Sequence, residues 1–186
     1  MTQSFRFPVL VLAAVLAGVM AGCSPAFNWR DARFDDAELT ALLPCKPDRA
    51  SRPQAIGGAT VTLSMMGCEA GGAMFAVVMA DAGDASRVAR LQADWQAVTL
   101  ANIRAMPVGA GDPGSATHAA PLRVGGADAA PGPVLVTARG QGADGQVVMS
   151  QAAYFSRGSR VFQAVVYAEK MNPDAAEAFF SGLRLP

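Results

Sequence analysis

Residues 9–22, VLVLAAVLAGVMAG, constrain this chain more than any other stretch, because they decide where the rest of it folds. Arg6 is the only charged side chain before Arg30. A basic start, an apolar run and then small residues is the layout of an export signal. The run has 14 residues, whereas a helix that crosses a bilayer needs about 20. Residues 1–22 therefore read as a leader that is removed. The 164 residues that remain suit one domain of ordinary size.

The leader ends in Met20-Ala21-Gly22-Cys23. This resembles the lipobox of bacterial lipoproteins, with Met20 where that family usually carries leucine. The resemblance implies a diacylglyceryl group on the Cys23 thiol, cleavage just before it, and acylation (palmitate included) of the new amine. Several acyl chains hold a protein firmly, at about 0.8 kcal/mol per buried CH₂. Ser24, a non-acidic residue after the cysteine, implies by the same resemblance the periplasmic face of the outer membrane rather than the inner one. An ordinary cleaved leader with an incidental cysteine is the competing reading.

The remaining cysteines are Cys45 and Cys68. With Cys23 acylated, these two are left to pair in an oxidising compartment. Two buried free thiols or a redox pair are the alternatives, but no C-x-x-C is present. Two cysteines and the single histidine, His118, make no zinc site. After residue 22 the chain keeps 14 basic and 15 acidic side chains, so it has no basic excess for nucleic acid.

Residues 23–33 read as a lipidated tether ending in a possible edge strand, residues 29–34 (WRDARF). Residues 34–186 read as a single α+β domain. Apolar runs and turn glycines place strands at 54–56, 59–65, 73–80, 134–139, 147–155 and 160–168. Gly67 interrupts its strand like a bulge. Residues 85–104 carry Val88, Leu91, Trp95 and Val98 at helical spacing, with Asp84 as cap. Trp95 reads as core. Asn172 and Pro173 open a second helix docked by Phe179, Phe180 and Leu183, with Gly182 as a left-handed stop. Residues 106–123 read as a long connection, with a possible short strand at 122–124.

At residues 42–47, LLPCKP, and 179–185, FFSGLRL, the chain resembles the PsbP-like proteins, and among them small proteobacterial lipoproteins. Pro44, Lys46 and Pro47 match the opening of that pattern; Phe179, Phe180 and Leu183 match its close. The resemblance implies a mainly antiparallel sheet covered by two helices, an α/β/α sandwich. It implies binding of proteins and no shared catalytic set.

The residues that could carry chemistry form no catalytic set either. His118 sits in GSATHAA with no evident partner, and a triad with Ser115 and Asp112 lacks G-x-S-x-G. Asp35-Asp36 fits a solvated turn better than an acid–base pair. Met65, Met66, Met74 and Met79 read as core, not as a metal or a plastic groove. The Gly-Gly pairs at 57, 71 and 125 read as tight turns. Lys46, fixed between two prolines, is the candidate partner surface, facing an acidic protein or lipopolysaccharide phosphates. The expectation is a non-enzymatic, lipid-anchored periplasmic domain that needs no cofactor or metal and binds another envelope protein. A small-ligand or lipid carrier, which requires an apolar pocket between sheet and helix, and an enzyme with an unrecognised site are the alternatives.

Overall fold

The computed structural model describes residues 26–34, 37–105 and 117–186. Its strands are β1 (Arg30–Phe34), β2 (Leu39–Leu43), β3 (Asp48–Ile56), β4 (Ala59–Ala70), β5 (Ala73–Asp81), β6 (His118–Pro121), β7 (Val134–Gln141), β8 (Val147–Arg157) and β9 (Arg160–Ala168). Helix α1 (Val88–Asn102) follows β5, and α2 (Pro173–Ser181) follows β9. Seven strands form one sheet in the order β3-β4-β5-β9-β8-β7-β6, and every neighbouring pair is antiparallel. The fold is α+β.

The sheet is buried on both faces at its centre. In β9 every residue from Val161 to Val166 is buried, as an apolar run in a twice-covered strand requires. On one face α1 closes a core around Leu63, Val78, Trp95, Tyr154 and Val165. On the other, α2 and the β1–β2 ribbon close a core around Leu39, Leu43, Phe75, Phe155, Phe162 and Phe179. Phe179 meets Phe75 edge-on at 5.5 Å, and Phe155 stacks on Phe162 across the β8–β9 pair at 5.2 Å. Such aromatic pairs add about 0.5–1.5 kcal/mol beyond the area they bury.

The helix ends follow their local chemistry. Asp84 Oδ1 accepts from the Ser86 amide at 2.7 Å. A single 3₁₀ turn, Ala85–Arg87, precedes α1, so the expected helix start is shifted and tightened. Asn172 Oδ1 accepts from the Ala175 amide at 3.1 Å, ahead of Pro173 at the first turn.

Several expectations need correction. The strand expected near residue 29 is not an edge of the main sheet. It is β1, which pairs only with β2 and lays Ala32 and Phe34 into the core. Packing begins earlier than the expected domain start at residue 34, because Phe27 and Trp29 already lie against that core. β3 runs back to Asp48, six residues before its expected start. Its polar sequence is recruited by pairing with β4, a tertiary override of weak local preference.

Gly67 is no bulge: β4 keeps register through it, opposite Asp48 on one side and Ala76 on the other. A Cβ there would stand 2.7 Å from the Phe75 carbonyl oxygen, so crowding is what asks for glycine. Gly182 is right-handed, with φ −80°, rather than a left-handed stop. A Cβ at that position would collide with the Leu42 side chain, so α2 can approach β2 only through glycine. The short strand expected at 122–124 lies instead at His118–Pro121.

Candidate functional site

Helix α1 does not lie along the strands. At its middle, Asp94 crowds Gly57 in the β3–β4 turn. At its end, the Ile103 carbonyl accepts from the Gln141 amide at 2.6 Å, at the far end of β7. The helix therefore crosses the sheet obliquely. It leaves uncovered the corner where β3, β4, β5 and β9 reach Asp48, Gly67, Met74 and Tyr167.

That corner is a groove of about 420 Å³. Leu63, Met65, Gly67, Ala76, Val78 and Val165 contribute to its floor, and Trp95, Val98, Thr99 and Asn102 of α1 form one wall. Gly67 and Ala76 face each other across β4 and β5, so that part of the floor carries no bulk beyond a methyl group. Met74, 38% exposed, stands at the open end. The expectation that Met65, Met66, Met74 and Met79 serve only as core is thus corrected. Met66 is fully buried on the other face, while Met65 and Met74 line the groove.

A polar seam runs along the back of the groove. Gln163 is buried, and its Nε2 donates to Thr99 Oγ1 at 2.8 Å and to Tyr154 Oη at 2.9 Å. Thr99 Oγ1 donates in turn to the Trp95 carbonyl at 2.9 Å. This satisfies amide and hydroxyl groups that would be costly to bury alone. Burial pushes the Tyr154 phenol well above its ordinary range, against the pull of its bonds to Thr99 and Gln163. The Tyr167 phenol is raised by burial too, with Ser150 opposing.

The β3 side of the groove is the sheet's edge. Ala50, Arg52, Gln54 and Ile56 face the groove, and Arg52 has no hydrogen bond or ion pair among the described residues. Arg49 borders the groove but turns its head to the opposite face. Its Nη2 donates to the Arg33 carbonyl at 2.6 Å, and the guanidinium stands 6.0 Å from the Phe34 ring centroid.

Beyond Met74 the groove runs into a shallower depression lined by Cys45, Lys46, Asp48, Gly67, Cys68, Glu69 and Met74. Asp48, Gly67 and Met74 belong to both. Cys45 and Cys68 are joined, with an S–S distance of 2.07 Å and Cα atoms 6.0 Å apart. Lys46 is exposed beside them. Lys46 and the two cysteines, singled out from the sequence, thus stand at the margin of the site; a pocket between sheet and helix is expected from the sequence only as an alternative, without the residues that line it.

The other sequence candidates do not join it. His118 is on the exposed edge strand β6 rather than in a loop. Cys23, Asp35, Asp36, Asp112 and Ser115 lie outside the described residues. Gly57, Gly58, Gly71, Gly72 and Gly126 have positive φ in turns. Among the described residues no three metal-ligating side chains are gathered, and no helix is long and apolar enough to cross a membrane.

No family model matches the chain, and no curated protein matches it. Among solved structures, a protein of unknown function from Pseudomonas aeruginosa is similar over 81% of this chain and 87% of its own, at 15% identity and a TM-score of 0.35. A likeness of that strength carries no functional argument.

Proposed function

We propose that this protein is a lipid-anchored, non-catalytic binding domain of the bacterial envelope, and that its binding site is the groove beneath α1. One observation carries this: a concave, largely apolar space of about 420 Å³ with a few polar groups along one side. Small-molecule sites run from about 300 to 1,000 Å³ and share that lining. Arg52, Thr99, Asn102 and Gln163 are orienting groups of the kind such sites use.

A small apolar or amphiphilic ligand takes precedence over the envelope-protein partner expected from the sequence. A stable protein contact needs about 800 Å² on each side. Among the described residues the large apolar side chains with high exposure are Met74 and Val147. Anchoring through acylated Cys23, at the periplasmic face of the outer membrane, belongs to the same proposal. The Cys45–Cys68 bond supports it, since such bonds persist in exported proteins. We also assign the fold to the PsbP-like sandwiches; its support is the layering of α1, sheet, and α2 with the ribbon.

The test is uptake of the apolar fluorophore N-phenylnaphthylamine by the exported chain carrying Cys23→Ser. The expected result is saturable binding with quenching of Trp95, and loss of both in Ala76→Phe with an unchanged melting temperature. Equal binding by both chains would rule the groove out as the site.

A further inference from the structure

Resting on the reading above, we propose that the ligand is a zwitterionic phospholipid drawn from the membrane in which the protein is anchored. One acyl chain would lie in the groove and the head group in the depression at Lys46.

The short link from Cys23 to the folded domain favours a ligand from the membrane. Only Ser24, Pro25 and Ala26 separate Cys23 from Phe27. At about 3.6 Å per residue the four steps span at most about 14 Å. Phe27 itself is fixed. It stacks on Trp29 at 5.7 Å, meets Phe75 edge-on at 6.5 Å, and lies against Gly71. The next residue is held too, as the Asn28 amide donates to the Pro44 carbonyl at 2.7 Å. Gly71 is the turn between β4 and β5, and Met74, three residues on, stands at the open end of the groove. Phe27 lies on the α2 face of the sheet, but the β4–β5 turn it covers leads within three residues to Met74 on the groove face, so acylation at Cys23 would bring the open end of the groove within reach of the bilayer surface.

The groove also has the size of an acyl chain, and the depression beside it has the charges of a zwitterionic head group. At about 30 Å³ for each water-sized group, the groove's volume of about 420 Å³ takes on the order of a dozen such groups, which matches much of one acyl chain. The depression that continues the groove carries one cation, Lys46, and two carboxylates, Asp48 and Glu69. An anionic head group would meet Lys46 but oppose two like charges. A head group with both a phosphate and an ammonium answers all three.

The experiment uses the lipidated full-length protein in phosphatidylcholine vesicles. Trace phosphatidylethanolamine or phosphatidylglycerol is added, with a diazirine on one acyl chain. After illumination, peptide mapping is expected to find the label at Met65, Met74, Ala76 or Trp95, with the ethanolamine lipid preferred. Ala76→Phe should reduce that label to roughly a tenth, because its ring would occupy the space that an acyl chain needs in a pocket of this size. Val98→Phe, on the half-exposed wall, repeats the test should the first variant melt early. A flexible insert between Ala26 and Phe27 should lower labelling several-fold by diluting the bilayer around the groove. Label confined to Phe27, Trp29 and the Gly71 turn, or preference for the glycerol lipid, overturns the proposal. If N-phenylnaphthylamine still fills the groove while no bilayer chain does, this inference fails and the binding function stands. If neither enters, both fail.

Discussion

Reducing the Cys45–Cys68 bond tests how much of the edge of this fold depends on a covalent link. The two cysteines are 23 residues apart. In the chain-entropy model, closing a loop of that length is worth about 3 kcal/mol at 25 °C. The loop encloses β3 and its hairpin with β4, and β3 is the sheet edge, paired on one side only. The double variant Cys45→Ser/Cys68→Ser should therefore lose about 3 kcal/mol in urea unfolding at neutral pH, with a lower midpoint. The melting temperature should fall by roughly 6–12 °C for a chain of this size. The urea dependence should steepen, because the uncrosslinked denatured chain is more expanded. The opposing effect is residual hairpin: nine residue pairs join β3 to β4 around Gly57-Gly58, and persistence of some of these would pre-close the loop. A loss below about 1 kcal/mol with an unchanged slope would refute the loop-entropy reasoning. Reduction of the unaltered chain by dithiothreitol should give the same loss and exclude an effect of serine.

Gln163→Leu removes the amide donor that Thr99 Oγ1 and Tyr154 Oη share; it should cost about 1–3 kcal/mol in thermal unfolding, and a neutral result would show that the seam is not taut. The alkaline limit of stability should be set by Tyr154 and Tyr167, whose folded-state phenols are raised above the ordinary value of 10.0, chiefly by burial. Because the unfolded chain ionises first, stability is constant below pH 10 and declines as pH climbs past it, which melting temperatures across that range will register. Tyr154→Phe should lessen the decline; an unaltered alkaline profile would contradict it. Asn172→Ala removes the acceptor for the Ala175 amide and should cost about 1 kcal/mol, whereas Asn172→Asp should keep most of it.

What could be read in advance follows from which interactions are local. Asn172-Pro173 announces α2 because a cap acts within one turn, and the apolar runs of β5, β8 and β9 announce strands because both faces are buried. β3 carried no such mark: its outward row is solvated, and only the partner strand makes it extended. Gly67 and Gly182 were legible as special but not why, since the crowding atoms belong to Phe75 and Leu42. The groove was least legible of all. Trp95, Met65 and Ala76 are the residue types of a closed core, and whether they line a core or a cleft depends on the angle of α1.

That angle is held at two points along the helix, so the groove is built in. Close approach of Asp94 to Gly57 fixes the middle of α1 over the β3–β4 turn, and the bond from the Gln141 amide to the Ile103 carbonyl fixes its end. Sliding the helix over the open corner would break the second contact and uncover Leu91 or Trp95, each a loss of about 1.5–3 kcal/mol or more. The corner could also be closed by a further strand added to β3. Arg49, Arg52 and Pro53 on that strand oppose it, because charge and a missing amide spoil an edge for pairing. With neither helix nor strand able to cover the open corner, apolar surface at Met65, Gly67, Met74 and Ala76 stays available to a ligand. The energy for binding then comes from burying surface that folding itself leaves open.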